Sequence, residues 1–260
     1  MMILPAGVSL PNNPRIGWRN LVAFENVSAD EEASGYPIIN IANPATNLQW
    51  RGETASAQTV TVDLGSATQF DYVGIARHNL GSAGIAYALE SSNNGSDWTE
   101  IDGDAPTDDR VIFHQFAPTT ARFFRLSLDA GSAAPRIAVL YLGRITVLER
   151  RIYVGHTPIT LGRRREVSTG RSESGQFLGR VRLAETLETR LTMQNIDPDW
   201  YRDELDGLIE DEDINPFFWA WRPQDFPLEV AFAWSMSDIV PVNQRANGMM
   251  QFEARLQAIP

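Results

Sequence analysis

The chain has 260 residues, 43% of them apolar, which is enough for one large core or two medium ones and argues against disorder. A net charge of -11 excludes a general nucleic-acid binder, which needs excess positive charge to displace phosphate counterions. With no cysteine there are no disulfides or thiolate metal sites, and no apolar stretch approaches the length of a membrane span.

Residues 1–37 hold Pro5, Pro11, Pro14 and Pro37 with Asn12 and Asn13 between them, so the expectation is an extended arm with short strands such as 21–24. Its apolar residues Ile16, Trp18, Leu21 and Phe24 must be buried, and the simplest way is to wrap its own domain. The N-terminus lacks the charged start and long apolar run of a signal peptide, so the reading is a product made without classical secretion.

From residue 38 to 148 the pattern is that of short strands. Val60, Val62 and Leu64 alternate with Thr59, Thr61 and Asp63, the period of a strand with one buried face. Gly65 closes that strand, and others follow at 70–76 and 85–92, with Asn93-Asn94-Gly95-Ser96 as the chain reversal. Later strands are expected at 111–116, 122–128 and 136–141. The character changes over 142–151, where a domain boundary is placed.

Strands resume at 151–154 and 158–161. Phe177, Gly179, Val181 and Leu183 then alternate with Leu178, Arg180 and Arg182, and Leu187, Leu191 and Met193 continue on a further strand. One helix interrupts them near 198–210. Asp197 is its N-cap, Pro198 its first residue, and Tyr201, Leu205 and Leu208 its apolar face. The acids from Glu210 to Asp213 stop it, because the C-terminal end of the helix dipole disfavours negative charge. Phe217 to Trp221, then Leu228, Val230, Phe232 and Trp234, then Met250, Phe252, Ala254 and Leu256 give three final strands. The fold class is therefore mainly β, an N-terminal β-sandwich plus a second β-rich domain over 149–260 with one α-helix.

Four stretches carry a family resemblance. Val62-Asp63-Leu64-Gly65, the turn from Glu90 to Trp98, and Ala121-Arg122-Phe123-Phe124-Arg125-Leu126, preceded by Asn47-Leu48-Gln49-Trp50-Arg51, resemble the discoidin or coagulation-factor C-type module of the galactose-binding-like superfamily. The resemblance covers residues 38–148 and implies a jelly roll that binds carbohydrate with the loops at one end. On that basis Trp50, Arg51, Arg77, His78 and Asn79 are the glycan-binding candidates, an aromatic platform plus planar hydrogen-bonding groups. The competing reading packs Trp50 and Trp98 in the core and uses His78 and Asn79 to order their loop. No cofactor is expected. A structural calcium ion on Asp102, Asp104, Asp108 and Asp109, or on carbonyls near Asn43 and Asn47, is the alternative, although the register of a calcium loop is missing and a solvated loop is preferred.

The order of elements over 149–260, with its helix followed by Asn215-Pro216-Phe217-Phe218-Trp219, resembles tail-tip and distal-tail proteins of long-tailed bacteriophages. The segment from Arg77 to Gly84 also resembles a loop in phage versions of the discoidin fold. Together these imply a virion protein of the tail tip or baseplate, a ring-like homo-oligomer contacting other tail proteins, and possession of no nucleic-acid or membrane-insertion role. Arg163, Arg164, Arg165, Trp219 and Trp221 are the subunit-interface candidates, since arginine forks pair with carboxylates across interfaces. A solvated strand face and an ordinary core are the alternatives for the arginines and the tryptophans. His78, His114 and His156 lie in different elements, and no nucleophile elbow or zinc-binding His-Glu-x-x-His is present, so the expectation is a protein that is not an enzyme. Two other functions stay open: a carbohydrate-binding adhesion protein that recognises host surface glycan, and an accessory subunit of a carbohydrate-active enzyme.

Overall fold

The structure is a computed structural model that describes residues 1–5, 11–152, 155–211, 214–244 and 248–259. The strands in the N-terminal half are β1 (Met2–Ile3), β2 (Arg15–Gly17), β3 (Val27–Ala29), β4 (Trp50–Arg51), β5 (Gln58–His78), β6 (Tyr87–Ser92), β7 (Thr99–Asp104), β8 (Ile112–Leu128), β9 (Arg136–Gly143) and β10 (Thr146–Val147). Those in the C-terminal half are β11 (Arg163–Arg171), β12 (Phe177–Ile196), β13 (Phe217–Ala220), β14 (Val230–Ser235), β15 (Val242–Asn243) and β16 (Met250–Ile259). They form two sheets. The first runs β4-β9-β5-β8-β6-β7, with β1 added to β8 and β3 to β5; the second runs β10-β2-β13-β14-β16-β12-β11, with β15 added to β16.

The first sheet folds over on itself into a jelly-roll sandwich, because β5 and β8 are long enough to serve both layers. Their pairing shifts register between Asp63 and Thr68, and Gly65 there takes a φ of 73° that a side chain would oppose. On either side of this corner Val60 and Val62 face Phe70, Val73 and Ile75 across the core, with Phe124, Leu126, Ile112 and Phe116 contributed by β8. The pairs of strands expected at 59–64 with 70–76, and at 111–116 with 122–128, are therefore single bent strands. The loop after β5 also contains a short helix α1 (Leu80–Ala83), where only a loop was expected.

The arm is shared between the two bodies. Here β1 and β3 join the sandwich, whereas β2 lies between β10 and β13 in the second sheet. Residues 21–24 form no strand. Leu21 donates one backbone hydrogen bond to the Leu142 carbonyl, and the chain turns just beyond it.

In the second body the helix α2 spans 198–211, with a π-helical stretch Tyr201–Leu205 between the α-helical Pro198–Trp200 and Asp206–Asp211. The Asp197 carboxylate accepts hydrogen bonds from the Asp199 and Trp200 amides, a working N-cap. Tyr201, Leu205 and Leu208 pack on Phe217, Trp219, Phe252 and Leu256, covering one face of the sheet. The opposite face presents Phe218, Ala220, Val230 and Phe232, and these bury against Tyr72, Phe113, Ala138 and Tyr141 on the outside of the sandwich. One apolar cluster thus joins the two bodies. Residues 158–161 form a 3-10 turn (Ile159–Leu161) and not a strand, residues 151–152 are irregular, and 153–154 fall outside the described residues. No separate strand follows Leu183, since 177–196 is continuous, and β11 is a strand the hydrophobic pattern did not show because it is almost wholly polar.

Candidate functional site

The ends of β4, β5 and β9 meet at one end of the sandwich, where the loops 51–57, 77–84, 105–110 and 129–135 cluster. Backbone bonds lace them together: Gly52 donates to the Pro135 carbonyl, Gly131 to Ala55 and Ser132 to Ala83. His78 and Asn79 are the internal fasteners. The His78 Nδ1 accepts from the Leu80 amide at 3.2 Å, so its proton is on Nε2, which donates to the Arg110 carbonyl at 2.7 Å. Asn79 donates to the Ala134 carbonyl at 3.0 Å and accepts from the Arg136 amide at 2.7 Å. Both side chains are buried, so they order the loops and leave nothing free for a ligand.

Trp50 is also withdrawn from solvent. Its indole is fully buried, donating to the Glu31 carbonyl at 2.9 Å, and it presents no open face on which a sugar could stack. Glu31, which the sequence did not single out, ties this corner: its carboxylate accepts from the Thr54 amide and hydroxyl and from Gln58. Trp98 is half-buried at the other end of the sandwich, under the Arg125 guanidinium at 4.1 Å.

Arg51, Arg77 and Arg136 remain exposed at the loop end, beside the exposed acids Glu53, Asp108, Asp109 and Asp129. Arg51 and Arg136 are direct cross-strand partners of the β4–β9 ladder, so their side chains leave the same face. Arg77 follows on β5 with a φ of 54°, a left-handed conformation rare for any residue but glycine, held on one side by the sheet and on the other by the His78 and Asn79 bonds. All three are exposed, and among the described residues none enters an ion pair. Arg136 was not a sequence candidate; its register opposite Arg51 is visible only in the folded ladder.

The acidic segment beside them is internally committed. Asp109 accepts from the Ser82 amide at 2.8 Å, Asp108 pairs with Arg110 at 3.4 Å, and Asp102 lies 3.2 Å from the Nε2 of His114. Among the described residues no group of three or more His, Asp or Glu is placed to hold a metal ion. Asn43 accepts from the Ala45 amide in a local turn.

Burial lowers the pKa of His78 and of His114, so both imidazoles are neutral in the fold. The unfolded chain then binds more protons below the ordinary histidine value of 6.5. Their contribution to stability is complete above that pH and is lost as pH falls below it, by at most about 1.4 kcal/mol per pH unit for each group. The melting temperature is expected to drop between about pH 7.5 and about pH 5.5. A flat profile over that window would contradict the neutral assignment.

The interface candidates are scattered across the second body. Trp219 is buried in the core beneath α2 and reaches no surface, which corrects its assignment as an interface residue. Trp221 is half-buried, stacked on Phe226 at 5.4 Å with its Nε1 donating to Glu229. Arg163, Arg164 and Arg165 are exposed on β11 and each faces an acid of the neighbouring strand: Glu185 for Arg163 and Arg165, Glu188 for Arg164. Arg163 and Arg164 also line an open groove of about 500 Å³ with Thr157, Thr189, Arg190 and Arg255.

Comparison with known proteins bears on the first body. Residues 26–139 match the F5/8 type C domain family. A chitosan-binding module of a chitosanase/glucanase from Paenibacillus is similar over 48% of this chain and 98% of its own, at 17% identity and a TM-score of 0.43. A CBM32 module from Clostridium perfringens in complex with GalNAc-β-1,3-galactose is similar over 45% and 93%, at 18% identity and a TM-score of 0.40. The CBM32 module of AlyQ, in complex with 4,5-unsaturated mannuronic acid, shares 21% identity over 48% of this chain and 96% of its own, with a TM-score of 0.41. The search of curated proteins returned no match. The first body is a β-sandwich, and residues 26–139 within it are similar to the F5/8 type C, or discoidin-like, domain family.

Proposed function

We propose that this chain is a carbohydrate-binding protein, acting without catalysis, whose F5/8 type C module engages a glycan through Arg51, Arg77 and Arg136. The observation that carries this reading is the Arg51–Arg136 pair. Like charges directly opposite on a ladder repel, and among the described residues neither arginine forms an ion pair that would relieve this. An anionic group between the two guanidiniums removes that cost, and arginine forks suit a carboxylate or sulfate better than any neutral hydroxyl. The strained backbone at Arg77 supports the same surface, since such conformations persist where the surroundings hold them for use. The full chain on a glycan array is expected to select uronate-bearing or sulfated sugars over neutral ones. Arg51→Ala and Arg136→Ala should each lower affinity at least about tenfold with little change in melting temperature, as exposed substitutions seldom move stability by more than about 0.5 kcal/mol. Absence of binding to any glycan, or binding indifferent to both substitutions, removes this reading.

A second reading is favoured by the β11–β12 hairpin, which stands clear of the sheet with apolar residues exposed. In it the chain is a structural component of a bacteriophage tail tip or baseplate, assembled from several copies around the tail axis with other tail proteins. The sugar-binding end would then be turned toward a host surface. Mass spectrometry of purified tailed virions is the test, and absence of the chain from such particles removes this role.

A further inference from the structure

Among the described residues the β11–β12 hairpin has no third strand along its outer part. Strand β12 pairs with β16 only from Leu187 to Ile196, so residues 177–186 pair with β11 alone. At a rise of roughly 3.3 Å per residue, this ribbon extends about 30 Å beyond the body of the sheet. The pairing with β11 shifts register at Gly170/Arg171 and Glu166/Val167, which puts Phe177, Arg180 and Arg182 on the face of their partners Arg171, Thr169 and Val167, and Val181 on the opposite face with Ser168. Phe177, Leu178, Val181 and Leu183 are 66%, 67%, 64% and 61% exposed. A lone two-stranded ribbon is marginal in water, and an exposed apolar ribbon with a free edge is a template for association.

Its charge says what it meets. Between residues 163 and 188 there are six arginines against four glutamates, in a chain whose net charge is -11. Arg171 and Arg180 enter no ion pair among the described residues. The opposite sign lies on α2, where the exposed Asp199, Asp203, Asp206 and Glu210 recur at intervals of four, three and four, one stripe along the helix, and none of them is ion-paired among the described residues. That helix is packed on the body of the sheet, at the far end of β12 from the ribbon tip, so the ribbon cannot reach the helix of its own chain.

We propose that the ribbon docks on a second copy of this chain, its exposed apolar residues covered there and its Arg171, Arg180 and Arg182 set against the neighbour's Asp199–Asp203–Asp206–Glu210 stripe. This rests on the assembly reading and names its contact surface. The contact joins two different patches, so it propagates from copy to copy and closes as a ring when the rotation allows. Mass photometry of the full chain across concentration tests it. The wild type is expected to associate more weakly as salt is raised. Phe177→Asp with Val181→Asp should raise the dissociation constant at least about a hundredfold, with an unchanged melting temperature because both positions are exposed. Arg180→Glu with Arg182→Glu should also weaken association, and should regain it when mixed with a copy carrying Asp203→Arg and Asp206→Arg. A wild type that stays monomeric at every concentration overturns both this proposal and the self-assembly reading. Association untouched by the ribbon variants overturns the ribbon as the contact and leaves self-assembly standing. A charge swap without recovery overturns the helix stripe as its seat.

Discussion

Phe218→Ala is expected to destabilise the whole chain by about 3–5 kcal/mol, the range for removing a fully buried aromatic ring. The ring is completely enclosed at the junction of the two bodies, with centroids 5.8 Å from Phe113, 5.4 Å from Tyr141 and 5.0 Å from Phe232. Its seat exists because position 74 has no side chain: a Cβ on Gly74 would lie 2.4 Å from the Phe218 ring. Gly74→Ala therefore overpacks the same contact, at about 1–3 kcal/mol. Smaller and larger changes on the two sides should compensate, so Gly74→Ala combined with Phe218→Leu should cost less than the sum of its parts. Urea unfolding followed by tryptophan fluorescence and by circular dichroism measures all of these. Two separate transitions, or a loss below about 1 kcal/mol for Phe218→Ala, would show that the bodies do not share this core.

The same junction limits how the first body can serve as a binding module. Tyr72, Phe113 and Tyr141 lie on the outside of the sandwich and are buried only because β13 and β14 cover them. A fragment cut to residues 26–139 would expose Tyr72 and Phe113, cut β9 short of Tyr141 and lose β1, so it is not expected to behave as an independent unit. The loop end carrying Arg51 and Arg136 is consequently fixed in direction relative to the second body. A glycan bound there would be held at a set orientation to the β11–β12 ribbon.

Much of this was readable from residue order, and the failures have physical causes. Apolar patterning located the longer strands β5, β6, β8, β9, β12, β13, β14 and β16, but not β7, β11 or the strands of two or three residues, and Asp197 with Pro198 located the helix, because those signals depend on backbone geometry that is local. Alternation does not say whether a face has a cover. Phe177, Val181 and Leu183 alternate in the sequence as Val60, Val62 and Leu64 do, yet the first set is exposed, whereas Val60 and Val62 are core and Leu64 packs against it. Gly65 was read as the end of a strand because glycine does end strands; here it permits a corner inside one. At the candidate site, residue type suggested Trp50, His78 and Asn79, whose polar atoms are taken by the protein's own backbone, a fact set by loops up to 57 residues apart in sequence. Arg136 escaped notice for the same reason in reverse, since only pairing with Arg51 gives it meaning.

Arg15 carries the second large effect. Its side chain is fully buried in β2, and burial depresses its pKa to about 10, which leaves it charged at neutral pH. No carboxylate among the described residues pairs with it. Neutral oxygens solvate it instead: Gln115 Oε1 accepts from Nε at 2.7 Å, the Asn13 carbonyl from Nη1 at 2.8 Å and the Pro11 carbonyl from Nη2 at 3.0 Å. Gln115 belongs to the sandwich and the two carbonyls to the arm, so one guanidinium fastens the arm between both bodies. Arg15→Met keeps the length and leaves three buried or half-buried acceptors without donors, each costing about 1–3 kcal/mol less whatever water recovers. A loss of about 3–5 kcal/mol is expected, close to that of breaking a buried ionic contact. Arg15→Lys should recover only part of it, because an ammonium cannot reach acceptors spread along a planar fork. Amide hydrogen exchange separates this from a general loss of stability: protection should fall first at Ile16 and Gly17, and then along Phe218 to Ala220, their partners in β13. If Arg15→Met unfolds with the wild-type midpoint, the arm is held by its strand pairing alone and the guanidinium is dispensable.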